Sequence, residues 1–203
     1  MQFDEVFKEC PCIAILRGIT ADEINPVTDA FFDGGIKLLE ITLNSPDPFT
    51  TIKKAVEHNS DRMLIGAGTV LTVKEVQQVY EAGGRFIISP NTNVDVIRET
   101  IRLGMVSIPG FFTPTEAFTA LEAGANYLKF FPAGSVGPSY VKDLKAVVKA
   151  PILAVGGVNT DNLEDFMAVC DGVGIGSAFY KPGKALVAIT RNARAYLRRI
   201  KRK

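Results

Sequence analysis

Residues 64–84 read LIGAGTVLTVKEVQQVYEAGG and contain the repeating unit that determines the fold. The run LIGAG is apolar on consecutive positions, as in a parallel β-strand that is buried on both faces. Thr72, followed by Glu75 three residues later, has the pattern of a capping box at a helix N-terminus. The valines recur at helical spacing, and the glycines at 83–84 end the pattern. The stretch therefore predicts one strand followed by one helix.

The same unit recurs along the chain. Eight short apolar runs begin about 20 to 26 residues apart, which is the length of a strand and a helix joined by short loops. Helical patterns separate the runs, and the helix endings AGG and AGA repeat. The eight runs are IAIL (13–16), LLEITL (38–43), LIGAG (64–68), FIIS (86–89), VSIPG (106–110), YLKFF (127–131), ILAVGG (152–157) and VGIGSAF (173–179).

Eight strands that are each followed by a helix predict a small (β/α)8 TIM barrel, with residues 1–203 forming a single domain. A doubly wound open sheet is the alternative architecture. That fold requires a glycine-rich G-x-G-x-x-G turn after the first strand, and this chain has ILRGIT there instead. The barrel is therefore the favoured fold.

The overall charge and the chain ends restrict the class of protein. The formal net charge of the 203 residues is +1, which gives no general attraction to nucleic acid or to an anionic membrane. The apolar runs are far shorter than the roughly 20 residues that span a bilayer, and MQFDEVFKEC lacks the pattern of a signal peptide. The C-terminal RRIKRK fits a solvated helix end better than a nucleic-acid arm. A soluble, cytoplasmic protein is expected.

Histidine and cysteine are scarce. The one histidine, His58, lies in a polar stretch, and the three cysteines Cys10, Cys12 and Cys170 have neither zinc-knuckle spacing nor an even count for disulfides. We therefore expect no metal, no cofactor and no histidine-based triad. Any chemistry must use carboxylates, lysine, hydroxyl groups or the backbone.

Two charged residues lie inside otherwise apolar strands, and a third lies at a strand end. They are Glu40, Lys129 and Arg17, and they come from three different strands. Active-site groups of such barrels come from the C-terminal ends of strands, so these three side chains are expected to converge. Glu40 and Lys129 could instead form a buried ion pair without catalytic use, and Arg17 could simply cap its strand.

A buried lysine has a chemical use. Burial disfavours the ammonium form and lowers the pKa of the amine, so that Lys129 could attack a carbonyl carbon. A nearby carboxylate such as Glu40 could then transfer protons at the carbinolamine and at the neighbouring carbon. This combination indicates Schiff-base aldol chemistry.

Glycines at strand ends predict anion binding. Gly156 and Gly157 follow the seventh run, and Gly176 and Ser177 lie in the eighth, where barrels commonly bind phosphate through backbone N–H groups. The stretch at 66–69 could offer amide groups and a threonine hydroxyl to a carboxylate.

The chain resembles the 2-keto-3-deoxy-6-phosphogluconate (KDPG) aldolase family from about residue 12 to residue 180. The resemblance is carried by ILRGIT, LLEITLNSP, LIGAGTVL, FIISPN, TPTEAFTALEAGA, LKFFPA and AVGGV, which occur in the family's order. It implies a class I aldolase that reversibly splits a 2-keto-3-deoxy-6-phospho-sugar acid into pyruvate and D-glyceraldehyde 3-phosphate. It also implies a homotrimer.

The resemblance assigns roles to individual residues. Lys129 would form the Schiff base, Glu40 would shuttle protons, and Thr69 would help to hold the pyruvyl carboxylate. Further substrate contacts are implied at Arg17, Asn44, Pro90, Phe131 and Val155, and phosphate contacts at Gly156, Gly157, Gly176 and Ser177.

Two departures from the family pattern bear on the substrate. Asn44 stands where some KDPG aldolases have an arginine, and Arg17 is expected to substitute for it. Val155 stands where threonine is common, and it cannot hydrogen-bond a substrate hydroxyl. These features are more similar to the 2-keto-3-deoxy-6-phosphogalactonate (KDPGal) branch, and they predict that both C4 epimers are accepted.

Other readings of the sequence stay open. A phosphosugar isomerase or epimerase, or a non-catalytic phosphosugar-binding barrel, are the alternative functions. Cleavage of 2-keto-4-hydroxyglutarate is also compatible with the resemblance. The aromatic residues Phe111, Phe112, Phe118 and Phe166 could belong to the core or to a subunit interface, because their spacing does not distinguish the two.

Overall fold

The computed structural model describes residues 1–200 as one α/β barrel. All strand pairs in it are parallel. The strands are β1 Cys12–Leu16, β2 Leu38–Thr42, β3 Leu64–Gly68, β4 Phe86–Ile88, β5 Val106–Ile108, β6 Gly110–Phe111, β7 Leu128–Phe130, β8 Ile152–Val155 and β9 Gly172–Ile175. The helices are α1 Phe3–Glu9, α2 Ile24–Asp33, α3 Pro48–His58, α4 Val73–Glu81, α5 Val94–Arg102, α6 Pro114–Glu122, α7 Pro138–Leu144, α8 Leu163–Val169 and α9 Leu186–Ile200.

The fifth predicted strand closes the barrel. Strands β5 and β6 stand at the two ends of the sheet order, yet only Pro109 separates them in sequence. The Ile108 carbonyl accepts a hydrogen bond from Ser89 N at 3.4 Å, and the Pro109 carbonyl accepts one from Lys129 N at 2.9 Å. The two segments are thus one interrupted strand, which β4 flanks on one side and β7 on the other. The predicted eight-stranded barrel is confirmed.

Side chains alternate between the barrel interior and the layer beneath the helices. Along β1, Ile13 and Ile15 belong to the interior cluster, whereas Ala14 and Leu16 pack in the outer layer. This alternation follows from the two-residue period of a strand. The interior cluster consists of Phe3, Val6, Phe7, Ile13, Ile15, Leu38, Leu64, Phe86, Ile88, Ile108, Tyr127, Leu153 and Val155.

Helix α1 fills the N-terminal mouth of the barrel. The rings of Phe3 and Phe7 lie 5.2 and 5.0 Å from the ring of Tyr127, which immediately precedes β7. The Tyr127 hydroxyl donates a hydrogen bond to Asp4 Oδ1 at 2.7 Å, so its polar atom is satisfied. Helix α1 therefore closes this end of the barrel, and the C-terminal end stays open.

The capping box predicted at the start of α4 is confirmed. Thr72 Oγ1 accepts a hydrogen bond from Glu75 N at 3.2 Å, and Glu75 Oε2 accepts one from Thr72 N at 2.9 Å. The same reciprocal pair joins Thr113 and Glu116 at the start of α6. These boxes satisfy N–H groups that a helix end leaves unpaired, and they fix the loops after β3 and β6.

The aromatic residues that sequence spacing could not place are divided between core and surface. Phe111 and Phe166 are buried, whereas Phe112 and Phe118 are about two-fifths exposed. No helix in residues 1–200 combines the length and the apolar character needed to span a membrane. The interpretation of RRIKRK as a solvated helix end falls partly on residues 201–203, which lie outside the described part of the chain.

Candidate active site

A cavity of about 720 Å³ opens at the C-terminal end of the barrel. Its wall contains eleven of the twelve site residues expected from the sequence. Those eleven are Arg17, Glu40, Thr69, Pro90, Lys129, Phe131, Val155, Gly156, Gly157, Gly176 and Ser177. They lie within, at the end of or just after seven of the eight barrel strands, so the fold gathers residues that are far apart in sequence.

Lys129 lies at the centre of β7 and is only 6% exposed. Burial lowers the pKa of its amine; the Glu40 carboxylate opposes this shift, and the positive charge of Arg17 adds to it. The Nζ atom lies 4.9 Å from the centroid of the Phe131 ring. The amine is therefore held in an apolar pocket that increases its neutral, nucleophilic fraction.

Glu40 lies inside the barrel on β2 and is 1% exposed. Its Oε2 atom is buried and has no hydrogen-bond partner. Burial raises the pKa of this carboxyl, while the charges of Lys129 and Arg17 act in the opposite direction. An unpaired buried carboxyl oxygen costs free energy, so a bound ligand that supplies a partner would recover it.

Gly68 provides the space for the Glu40 carboxyl group. A Cβ atom at position 68 would overlap Glu40 Oε1, Cδ and Cγ. Gly68 is the last residue of β3, which pairs with β2 so that Thr42 and Gly68 are opposite each other. The sequence LIGAG therefore has a glycine where the neighbouring strand places its carboxylate.

Arg17 follows β1 and is exposed at the rim of the cavity. Its charge shifts the pKa of both Lys129 and Glu40, so it lies within electrostatic reach of both. The next residue, Gly18, donates its N–H to Ser45 Oγ at 2.8 Å, which ties this rim to the loop after β2. Arg17 is thus placed to face an anionic substrate group.

Asn44 is the site residue that the structure does not bring to the cavity wall. The resemblance implied a substrate contact at Asn44, but β2 ends at Thr42 and the chain turns there. Asn44 is exposed and is not part of the cavity wall, so the substrate contact implied for it stays a prediction. The buried neighbour is Ser45, which bonds to Gly18 and to Thr42 Oγ1 at 3.2 Å.

Thr69 has an unusual backbone at the cavity edge. Its φ of 60° lies in the left-handed region, which a β-branched residue rarely adopts. Such strain persists only where the surrounding structure imposes it, and it is concentrated at functional sites. The strained turn directly follows β3 and brings Thr69 to the wall.

Two loops pack closely on the opposite side of the cavity. Gly156 and Gly157, at φ values of 87° and 75°, both need the left-handed conformation that favours glycine. Gly134 N, in the loop after β7, donates to the Gly156 carbonyl at 2.7 Å. A Cβ at Gly134 would lie 2.9 Å from Gly157 Cα, so backbone meets backbone there. This wall can approach an anion closely.

Sequence reasoning missed part of the wall. The additional lining residues are Ile15, Val158, Asn159, Gly174, Ala178, Tyr180, Lys181 and Pro182. Ile15 and Gly174 could have been found from strand alternation, because they precede Arg17 and Gly176 by two positions. The others lie in the loops after β8 and β9, whose paths have no short-range signal.

Comparisons with known proteins identify relatives of the whole barrel. The family model described as "KDPG and KHG aldolase" matches residues 3–192. A probable 2-dehydro-3-deoxy-6-phosphogalactonate aldolase of Rhizobium meliloti is 46% identical, covering 93% of this chain and 91% of the relative. The 2-dehydro-3-deoxy-6-phosphogalactonate aldolase of Escherichia coli is 44% identical, with 93% of each chain covered. A solved structure described as native KDPGal superposes with a TM-score of 0.92 at 43% identity, covering 94% of each chain.

Proposed function

The chain belongs to the KDPG and KHG aldolase family, and on this premise we propose that it is a class I aldolase. It reversibly cleaves 2-keto-3-deoxy-6-phospho-sugar acids to pyruvate and D-glyceraldehyde 3-phosphate. The main support is that Lys129, a buried lysine with a lowered pKa, shares one cavity with Glu40, a buried carboxyl group whose Oε2 has no hydrogen-bond partner.

The reaction begins at Lys129. Its neutral amine attacks the C2 carbonyl carbon, and the carbinolamine loses water to leave a positively charged iminium. The face of the Phe131 ring near Nζ attracts that charge. The iminium accepts the electron pair of the C3–C4 bond when that bond breaks, and the C4 hydroxyl gives up its proton as the aldehyde forms. Protonation of the enamine at C3 and hydrolysis then release pyruvate and regenerate the amine.

Glu40 moves the protons in these steps. Burial raises the pKa of its carboxyl group above the ordinary value, which increases the protonated fraction and suits the group to general acid–base catalysis. It would protonate the departing hydroxyl of the carbinolamine and accept the proton of the C4 hydroxyl. Arg17 and Thr69 would hold the pyruvyl carboxylate, and the glycine loops after β8 and β9 would hold the phosphate.

Trapping with borohydride tests this assignment. Reduction in the presence of pyruvate should add a pyruvyl group to Lys129, located by peptide mass spectrometry. Lys129→Met should remove the adduct, and the exposed Lys53→Gln variant should retain it. Wild-type protein that is folded, binds pyruvate and yet forms no adduct would contradict the Schiff-base mechanism.

We also propose that both C4 epimers are substrates. Val155 is buried in the cavity wall and offers no hydrogen bond to a C4 hydroxyl, so neither configuration gains a partner there. Steady-state kinetics on both purified sugar acids should give kcat/KM values within about a thousandfold, which is roughly 4 kcal/mol of discrimination. A larger ratio would contradict relaxed specificity. 2-Keto-4-hydroxyglutarate belongs in the same assay as a phosphate-free substrate.

We also propose that the protein is a homotrimer and acts in the cytoplasm, and the exposed aromatic residues are candidates for the subunit interface. Phe112 and Phe118 are 39% and 43% exposed, and burying such rings between subunits removes apolar area from water. Phe118→Lys should shift the sedimentation coefficient from that of a trimer towards that of a monomer. A trimer that survives this change would place the interface elsewhere.

A non-catalytic phosphosugar-binding barrel and an isomerase or epimerase are not favoured as alternatives. A binding module gains nothing from an unpaired buried carboxyl oxygen and a desolvated lysine, because both reduce stability. If the protein were only a binding module, Lys129→Met would leave phosphosugar binding intact and there would be no cleavage to lose. The aldolase proposal requires that wild type cleaves the substrate and that Lys129→Met does not.

A further inference from the structure

The loop after β9 brings an additional cation to the cavity. Residues 176–185 connect β9 to α9, and Lys181 in this loop lines the wall together with Gly176 and Ser177. The Lys181 carbonyl accepts a hydrogen bond from Lys184 N at 3.0 Å, but its ammonium group has no hydrogen-bond or ion-pair partner among the described residues. An exposed lysine is commonly just solvated, so its position in the fold must carry the inference.

The loop is anchored, which defines where Lys181 lies. Lys184 Nζ donates to the Ala178 carbonyl at 2.7 Å, and Asn192 Nδ2 of α9 donates to the same carbonyl at 3.1 Å. The N–H groups of the two residues before Lys181 turn back onto the Gly176 carbonyl at 2.8 and 3.0 Å. On the other side, Pro182 packs near Gly18 beside Arg17.

Positive charge in this region is not compensated by nearby acids of its own segment. All 22 Asp and Glu residues precede Gly172, whereas nine of the 23 Lys and Arg residues follow it. Burial lowers the pKa of Lys184, and the charges of Lys181 and Arg191 lower it further. Lys184 is thus repelled by Lys181 at the cavity wall, and a dianion bound beside Lys181 would relieve that repulsion.

The three cationic side chains of the cavity wall lie at different positions. Lys129 lies deep on β7, Arg17 stands at the end of β1, and Lys181 lies beyond the end of β9. The glycine loops after β8 and β9 offer backbone N–H groups and a serine hydroxyl, which supply partial charges only. A phosphate monoester carries up to two negative charges and favours a full positive partner.

We propose that Lys181 binds the 6-phosphate of the substrate and makes the enzyme selective for phosphorylated aldehydes, an inference that rests on the proposed aldolase function. The ammonium group pairs with a phosphate oxygen on the solvent side of the group, while the glycine loops contact its inner side. Lys181 is a specificity-determining residue, because it lies in the loop that contacts the half of the substrate remote from the bond being broken.

The experiment compares two aldehydes in the condensation direction. Pyruvate is combined with D-glyceraldehyde 3-phosphate or with D-glyceraldehyde, using wild-type protein, Lys181→Gln, Lys181→Arg and the exposed control Lys53→Gln. Lys181→Gln should raise KM for the phosphorylated aldehyde by about ten- to hundredfold, because a charge-assisted contact is lost. The kcat/KM for D-glyceraldehyde should stay within about threefold, Lys181→Arg should retain most of the phosphate preference, and Lys53→Gln should match wild type.

Two further measurements separate this inference from the proposed function. The inhibition constant of inorganic phosphate should rise by about tenfold in Lys181→Gln, since the probe contacts the same cation. Trapping of pyruvate on Lys129 should be unchanged in that variant, because pyruvate carries no phosphate. An equal loss of activity with both aldehydes would show a structural role for Lys181 and overturn the inference. No loss of activity with either aldehyde would also overturn it. Failure of trapping in wild type would instead overturn the aldolase mechanism.

Discussion

The two mouths of this barrel differ in whether their buried polar side chains have hydrogen-bond partners. At the N-terminal mouth, helix α1 covers the strands, and the Tyr127 hydroxyl is paired with Asp4. At the C-terminal mouth, Glu40 Oε2 is buried without a partner and the Lys129 amine is desolvated. Tyr127 and Lys129 are two residues apart on the same face of one segment. At one mouth the paired hydroxyl serves stability, whereas at the other the unpaired carboxyl oxygen and the desolvated amine are available to a substrate.

The largest effect is expected from Lys129→Met. The variant lacks the amine that forms the Schiff base, so aldol cleavage should fall below detection. The thermal midpoint should change little, since a similar-sized apolar side chain removes the cost of burying an amine and burial favours the neutral form of the Glu40 carboxyl that remains. Coupled detection of pyruvate and differential scanning calorimetry measure the two quantities. A strong loss of stability would show that Lys129 has a structural role, and the two mouths would then not differ in the way described.

Glu40→Gln should have the next largest effect. The amide keeps the shape but cannot exchange protons, so kcat should fall about 10²- to 10⁴-fold. Schiff-base trapping on Lys129 should persist at a lower rate, which distinguishes loss of proton transfer from loss of binding. Rapid-quench trapping with borohydride follows this rate. Unchanged kcat would show that the unpaired oxygen is not used in catalysis.

At the opposite mouth, Phe7→Ala should reduce stability and leave the chemistry alone. The ring of Phe7 is buried against Tyr127 and stacks at 5.8 Å on Phe3, so its removal leaves a cavity. The free energy of unfolding should fall by about 3–5 kcal/mol. Urea denaturation measures this change, and kcat of the folded fraction should match wild type. A fall in kcat with little loss of stability would reverse the assignment of the two mouths.

A smaller effect is expected in the pH profile of Arg17→Gln. The Arg17 charge lowers the pKa of Lys129, so removing it should raise that pKa. Activity needs the neutral amine, and the limb along which kcat/KM rises with pH should therefore move to higher pH. Arg98→Gln, on the exposed side of α5, should leave the limb in place. No shift, or one to lower pH, would show that Arg17 does not tune the amine.

Part of the site was readable from the sequence because its signals are local. Lys129 and Glu40 were recognisable as charges within apolar strands, and alternation placed both inside the barrel. Alternation does not extend to Asn44, because it holds only while a strand continues and β2 ends two residues earlier. Lys181 carried no local signal, since a lysine in a loop after a strand is usually a solvated residue.

The sequence by itself determined the eight-fold repeat, the strand and helix boundaries marked by caps and glycines, and the burial of the two catalytic candidates. These features depend on hydrophobic period and on hydrogen bonds between residues three or four positions apart. Only the tertiary structure decided that Pro109 interrupts the closing strand, that α1 seals one mouth, and that Phe112 stays exposed while Phe111 is buried. It also decided that Lys181 reaches the cavity. Each of these depends on contacts between distant segments, whose geometry exists only once the barrel has closed.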